Sequence, residues 1–190
     1  NTKTKTEEEN FKYLIDEFAD LKIIRYQIPG WDDLTLQQKE YIYHLSEAAK
    51  YGRDILWEQN FKYNLQIRKV LENILTNYEG DNGCNNYQDF LIYAKRVFFS
   101  NGIHHHYAED KIIPTCPKEY FQSLMEAVGD GDLCEKLLPV IYEPDLYSQR
   151  KYTGTEKDLL LASSVNFYDG VTKAQAQKFY DKMRDPKDPR

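Results

Sequence analysis

The sequence has no hydrophobic run long enough to cross a bilayer and little that would attract a nucleic acid. Its 190 residues have a mean hydropathy of -0.74, and 29% of them are charged. No apolar stretch approaches the ~20 residues that a spanning helix needs. The net charge is -6 at pH 7, and affinity for nucleic acid comes largely from cationic side chains that neutralise phosphates. The sequence therefore predicts a globular protein with no membrane span and no nucleic-acid partner.

Cysteine is also scarce, with Cys84, Cys116 and Cys134 far apart and no Cys-x-x-Cys pair. This spacing argues against a zinc ribbon and a redox dithiol, and the odd count argues against a disulfide scaffold. A reducing compartment such as the cytoplasm is therefore slightly favoured. The sequence opens at Asn1 with a polar lead rather than an apolar leader. Export or lipid anchoring after removal of a leader stays an alternative, so the compartment is left open.

The familiar catalytic motifs are missing too. There is no Gly-rich phosphate loop, no Gly-x-Ser-x-Gly elbow and no His-Glu-x-x-His. Residues 148–151 match Ser-x-x-Lys without its companion motifs, and we interpret this match as chance. Glu40, His44 and Glu47 share one face of a predicted helix, where an exposed charged face is the ordinary explanation. The chain by itself shows no complete catalytic apparatus, and we assign it no catalytic residue and no metal ligand.

The sequence does contain enough apolar residues, 41%, to form a core at this length. We predict a disordered lead over 1–6, a single helical domain over 7–184, and a linker over 185–190, where two prolines forbid helix. The fold class is mainly α, a multi-helix domain with short loops and a few short strands at most. An α+β fold is the alternative.

Apolar residues recurring every three to four positions, together with capping signatures, predict the helices. The capping boxes begin at Thr6, Thr35 and Thr172. The inward face of the last helix is expected to consist of Ala176, Phe179, Tyr180 and Met183. The segment 21–28 is left open between a short strand and an extended arm, and Leu159 to Leu161 could form a buried strand instead of helix. The predicted helices cover residues 7–20, 36–49, 53–78, 86–98, 117–129, 132–139, 155–168 and 173–183.

The most distinctive local feature is a predicted loop that carries three of the four histidines, His104, His105 and His106. In an extended segment His104 and His106 share a side and could chelate a metal. The third ligand would then be Cys116, Glu109 or Asp110. A second interpretation is that one or two imidazoles are buried and pin the loop to the surrounding helices.

A third interpretation is that the loop lines a polar cleft, since amide and imidazole groups can both donate to and accept from peptide-like ligands. We favour this interpretation. The 16 tyrosines and 9 phenylalanines also exceed the needs of a small core, so some of them are expected to face a partner or a groove. The substrate-cleft candidates are Asn101, His104, His105, His106 and Tyr107.

Three blocks of the sequence resemble bacterial members of the dipeptidyl peptidase III family. They are FADLKIIRYQIPGWDD at 18–33, GRDILWEQNFKYNLQIRK at 52–69 and FFSNGIHHHY at 98–107. A weaker likeness, SSVNFYDGVTKAQAQKFY, lies between Ala162 and Tyr180 and is similar to that family's Gly-Val-Thr helix entry. The likeness spans nearly the whole chain.

The resemblance implies a two-lobed zinc exopeptidase that removes dipeptides from the N-termini of peptides. The family's zinc motif, His-Glu-x-x-Gly-His, is absent from these 190 residues. The chain therefore resembles the N-terminal, non-zinc region, with zinc expected in the parent enzyme and none in this chain. Its expected partners are the catalytic lobe and the peptide, and the chain alone is expected to be inactive. Two alternatives are a free-standing helical module that binds peptides or proteins, and a small metalloprotein that uses His104 and His106.

Overall fold

A computed structural model describes residues 11–185 and 187. The chain divides into two compact units, one ending at Gly52 and the other beginning at Arg53. Two compact units can belong to one domain, so the single domain over 7–184 stays a prediction. The predicted lead over 1–6 and most of the predicted linker over 185–190 lie outside the described residues.

The first unit contains a β-hairpin, formed by strands β1 (Leu14–Phe18) and β2 (Leu21–Ile24). The strands are antiparallel, and Phe18 pairs with Leu21 across a turn. The helix predicted over 7–20 is therefore wrong over residues 11–20, and residues 7–10 lie outside the described part. The apolar residues of this segment have helical spacing, but the segment pairs with the neighbouring strand instead. Strand formation depends on the cross-strand partner as much as on the residues of the segment itself. The open question over 21–28 resolves as a strand over its first four residues.

Helix α1 (Leu36–Tyr51) completes the first unit and begins with the predicted capping box. The Thr35 side chain accepts from the Gln38 N–H, and the Gln38 side chain accepts from the Thr35 N–H. The helix ends at Tyr51, two residues beyond the predicted end, and the Gly52 N–H that follows donates to the Ala49 carbonyl at 3.2 Å. Within the described residues, α1 contributes no buried side chain.

The second unit is helical and contains the core. Its helices are α2 (Arg53–Asn60), α3 (Asn64–Asn77), α4 (Asn85–Ser100), α5 (Lys118–Ala127), α6 (Cys134–Tyr142), α7 (Leu159–Ala162) and α8 (Lys173–Met183), with a 3-10 turn at Gly131–Leu133. The buried stripes of α3 to α6 pack together as the core. The mainly α fold class is confirmed.

The long helix predicted over 53–78 is in fact two helices, broken at residues 61–63. The carbonyl of Trp57 accepts both from the Phe61 N–H and from the Asn64 side-chain amide, which ends α2 and starts α3. Phe61, at the break, is fully buried. The apolar spacing continues across the break, so periodicity alone could not reveal it.

Four other predictions of helix bounds are wrong. Helix α6 continues through Pro139 to Tyr142 instead of breaking there. Asn86 is not the cap of α4, which starts at Asn85 after Cys84, and Pro117 stands one residue before α5 instead of at its first position. The segment predicted as a helix over 155–168 contains only the single turn α7, begun by the Asp158 carboxylate.

Helix α8 has its predicted capping box but not its predicted inward face. Phe179 and Met183 are 58% and 67% exposed, and Tyr180 is also exposed. These three side chains, with Ala176, were expected to pack inward. Among residues 11–185 and 187, no helix combines the length and the apolar character that a bilayer crossing requires.

Candidate functional site

The candidate loop starts where α4 ends in two residues with positive φ. Asn101 has a φ of 53° and Gly102 a φ of 150°, and the Gly102 N–H donates to the Val97 carbonyl at 3.0 Å. A Cβ at position 102 would overlap the side-chain amide of Asn64. Glycine is therefore required here by its backbone angle and by a close neighbour.

Asn64 joins the loop to the break between α2 and α3. Its side chain is fully buried, donates to the Trp57 carbonyl at 3.0 Å and accepts from the Ile103 N–H at 3.1 Å. One side chain thus satisfies two main-chain groups that would otherwise be buried without partners. Sequence reasoning missed Asn64, although an asparagine inside an apolar helical stripe was a usable signal.

Residues 103–112 fold back on themselves as a short hairpin. The His105 N–H donates to the Asp110 carbonyl at 2.7 Å, and the Ile112 N–H donates to the Ile103 carbonyl at 2.8 Å. The Glu109 N–H donates to the His105 carbonyl at 3.0 Å and closes the turn between them. These backbone hydrogen bonds therefore fix the positions of the three histidines on the hairpin.

His104 points into the protein. It is only 2% exposed, its Nε2–H donates to the Tyr147 carbonyl at 2.8 Å, and its ring meets Phe61 edge to face. Its Nδ1 is buried with no hydrogen-bond partner among the described residues. Burial lowers the pKa of His104 to about 4, so the ring is neutral at pH 7. His104 pins the loop, as the second interpretation expected for one or two of the imidazoles.

His105 and His106 are half-buried and stack on each other, with ring centroids 4.8 Å apart and 21° between the planes. The Nδ1 of His105 accepts from the N–H groups of Tyr107 and Ala108. The Nδ1 of His106 lies 3.3 Å from the Ser100 hydroxyl. Burial, followed by the nearby His105 and Arg150, lowers the pKa of His106. The two rings thus form one face of the loop.

Tyr107 is the residue of the loop that projects furthest into solvent, at 83% exposure. Its ring contacts that of His106 at a centroid distance of 4.4 Å. A tyrosine in this position offers an apolar ring and a polar tip at low entropic cost. It is the candidate whose side chain is best placed to touch a ligand.

A part-buried ion pair braces the loop from the other side. The Arg150 guanidinium donates to both Glu109 carboxylate oxygens at 2.7 and 2.8 Å, to the Asn60 side chain at 3.0 Å and to the His106 carbonyl at 3.3 Å. The Asn60 amide in turn donates to the Asn101 carbonyl at 3.2 Å. This pairing lowers the pKa of Glu109 and raises that of Arg150. Sequence reasoning missed Arg150, which it placed inside a chance motif.

Lys111 ties the far end of the hairpin to α6. Its ammonium donates to the carbonyls of Val140, Glu143 and Leu146, the first at 3.1 Å. These carbonyls lie at and beyond the C-terminal end of the helix, where acceptors lack partners within the helix and a cation is favoured by the dipole. Burial lowers the pKa of Lys111.

A cavity of about 110 Å³ adjoins the anchor of the loop. Phe61 and Tyr147, which both contact His104, form part of its wall. The rest of the wall comes from Lys62 and from residues of the 160–170 segment other than Ala162 and Phe167. The loop is thus joined to a concave surface as well as to the core.

The loop does not fit a metal centre. The Nε2 of His104 is occupied by a carbonyl, and Glu109 is paired with Arg150. Within residues 11–185 and 187, no three His, Cys, Asp or Glu side chains converge as a metal site needs. We therefore derive no chemistry through a zinc ion held by this loop.

The five candidates share one loop but differ in their roles. Asn101 and His104 support the fold, through the Asn101 carbonyl and the buried His104 ring. His105, His106 and Tyr107 form its outer side.

No family model matches the chain, and no curated protein matches it significantly.

Proposed function

We propose that this chain is the N-terminal, non-zinc region of a dipeptidyl peptidase III-like exopeptidase and that its 101–107 loop contributes to the peptide cleft. The proposal is carried by the FFSNGIHHHY block at 98–107, which is the part of the resemblance that includes the candidate site. Support comes from the way this block folds. The N–H groups of Gly102, Ile103 and His105 are bonded within the protein, and Tyr107 is left outward.

The rigidity of the loop supports a positioning role. Enzymes gain rate by holding a substrate in one geometry, which requires that the contact residues be fixed by their own surroundings. Asn64, Arg150 and Lys111 hold the loop at three separate points. In the proposed enzyme, the outer side of the loop would bind the peptide while the zinc-bearing lobe supplies the chemistry.

Exposed apolar side chains of helix α8 support the proposal that another part of the protein covers this helix. Phe179, Tyr180 and Met183 of α8 are exposed, as are Phe167 and Leu161 nearby in the sequence. Monomeric proteins rarely expose contiguous apolar patches larger than a few hundred Å² without a partner. In the proposed enzyme, the partner of α8 is the catalytic lobe.

The test is to express the complete open reading frame without a polyhistidine tag and to incubate it with a decapeptide. Mass spectrometry should detect sequential loss of two residues from the N-terminus, abolished by a chelator and restored by zinc. The 190-residue chain alone should release nothing under the same conditions. A frame that lacks His-Glu-x-x-Gly-His, or a full-length product that releases no dipeptides, would refute the proposal and leave the free-standing binding module in its place.

A further inference from the structure

We propose that His105 is the positioning residue of Tyr107: its unprotonated Nδ1 accepts two main-chain hydrogen bonds and thereby holds the turn that presents the tyrosine. The hydrogen bonds of the turn follow from the geometry of this chain alone. Only the binding of a peptide by Tyr107 rests on the proposed function.

The hydrogen bonds of the turn converge on one ring atom. The Tyr107 N–H donates to the Nδ1 of His105 at 3.2 Å, and the Ala108 N–H donates to the same atom at 3.0 Å. An imidazole nitrogen that accepts a hydrogen bond cannot carry a proton, so the neutral ring has its proton on Nε2. His105 therefore acts as a side-chain acceptor for the turn, in the way that Asn and Asp do in Asx turns.

The ring of His105 is held in place by its neighbours. Its own N–H is bonded to the Asp110 carbonyl at 2.7 Å, and its ring stacks on His106. His106 is fixed in turn by the Ser100 hydroxyl and by an edge-to-face contact with Phe99 at 5.1 Å. Because both the backbone and the ring of His105 are fixed, its Nδ1 stays directed at the two N–H groups.

Protonation would reverse this interaction. A proton on Nδ1 turns the acceptor into a donor that faces two other donors, so both bonds are lost. The new positive charge also lies beside His106, whose carbonyl is bonded to the Arg150 guanidinium. The turn therefore depends on an Nδ1 that carries no proton.

The acidic groups around the turn do not replace the lost bonds. Both carboxylate oxygens of Glu109 are taken by Arg150. The Asp110 carboxylate accepts from the neutral Gln149 amide at 3.4 Å. Tyr107, the remaining titratable neighbour, has its ring 6.5 Å from that of His105. Attraction to a carboxylate could offset the repulsion from His106 and Arg150, but it cannot restore an acceptor for the two N–H groups.

The chemistry of the ring suggests a pair of matched variants. The Oδ1 of asparagine lies where the Nδ1 of histidine lies, so His105→Asn keeps an acceptor in the same place. Glutamine places its polar atoms further out, near the position of Nε2, so His105→Gln removes the acceptor while keeping a polar side chain. His44, an exposed helical histidine whose ring makes no hydrogen bond to a main-chain group of the described residues, supplies the control His44→Asn.

The experiment measures amide exchange of Tyr107 and Ala108 by NMR in the 190-residue chain at pH 8, corrected for intrinsic exchange rates. Both amides should be protected in the wild type, in His44→Asn and in His105→Asn. In His105→Gln their protection should fall about tenfold or more, as expected when two ordinary hydrogen bonds are lost. Amides of α4 serve as the internal check that each variant is folded.

Unprotected amides in the wild type would overturn the proposal, as would a His105→Gln variant that stays protected. Should neither variant fold, the wild-type amides decide alone. In the complete peptidase, His105→Asn should keep the wild-type KM for a peptide, and His105→Gln should raise it. If the exchange results hold and KM does not move, the positioning role stands and the proposed function of the loop is wrong.

Discussion

The hairpin at residues 103–112 and helix α8 belong to the same compact unit but are stabilised in opposite ways. In the hairpin, the Ile103 N–H donates to the Asn64 side chain and the Lys111 ammonium donates to the Leu146 carbonyl, and both acceptors lie far away in sequence. In α8, the large apolar side chains Phe179 and Met183 are exposed. The difference teaches that the hairpin is specified by this chain's own contacts, whereas the apolar face of α8 fits contact with a further surface.

The largest expected effect comes from Gly102→Ala, which should lower the free energy of unfolding by about 3 to 5 kcal/mol. The methyl group would overlap the buried Asn64 amide and force a residue with a Cβ to adopt a φ of 150°. Urea denaturation measures the change.

Gly129→Ala is the matched control for this variant. Gly129 also has a positive φ, 86°, but no atom lies within 4 Å of its would-be Cβ. Gly129→Ala should lower the free energy of unfolding by only about 1 to 2 kcal/mol, which is the backbone penalty alone. Equal losses for the two variants would show that the contact with Asn64 does not hold the hairpin.

Lowering the pH from 7 to 4 should cost about 3 kcal/mol of stability through His104 alone. The pKa of His104 is about 4 in the folded protein and 6.5 in the reference state, so the unfolded chain binds more protons across this window. Its contribution is complete above pH 6.5 and is lost as the pH falls toward 4.

His104→Gln separates this effect from that of the titrating carboxyl groups. The glutamine amide can still donate to the Tyr147 carbonyl but does not titrate. The difference between wild type and variant in unfolding free energy should therefore change by about 3 kcal/mol between pH 7 and pH 4. Parallel pH profiles for the two proteins would mean that His104 is not buried as described.

Lys111→Met should lower the free energy of unfolding by about 2 kcal/mol. The variant keeps the length of the side chain but leaves the carbonyls of Val140 and Leu146 without the ammonium donor. Lys178→Met, on the exposed surface of α8, should change stability by less than about 0.5 kcal/mol. Thermal and urea unfolding of both variants would test the contrast, which fails if the two lysines prove equally dispensable.

The smallest effect is expected in α8 itself. Replacing both Phe179 and Met183 by serine should change the unfolding free energy by no more than about 0.5 kcal/mol, because these side chains are exposed. Phe121→Ala, in the core, should cost about 3 to 5 kcal/mol. A loss of comparable size from the α8 double variant would contradict its description as an uncovered face.

The difference between local signals and contacts distant in sequence explains which features could be predicted from the sequence. The capping boxes at Thr35 and Thr172 and the apolar stripes of α3, α4 and α5 are local signals, and the structure confirms the helices they predict. The break at Phe61 depends on a bond between Asn64 and Trp57 that periodicity does not encode.

Local sequence patterns could not predict the roles of the individual residues in the candidate loop. Asn64 lies 39 residues before the Ile103 N–H that it binds, and Arg150 lies 41 residues after Glu109. Sequence identified the loop by its unusual density of histidine. It could not tell which histidine turns inward, because that depends on the Tyr147 carbonyl, 43 residues away.

The most direct test of the account is the KM of the complete protein for a peptide, compared between wild type, Tyr107→Ala and the control Tyr51→Ala. Tyr107 and Tyr51 are similarly exposed, at 83% and 88%. If the 101–107 loop binds the peptide, Tyr107→Ala should raise KM about tenfold with little change in kcat, since it removes binding shared by the ground and transition states. Tyr51→Ala should leave both constants unchanged. Indistinguishable KM values for all three proteins would contradict the account.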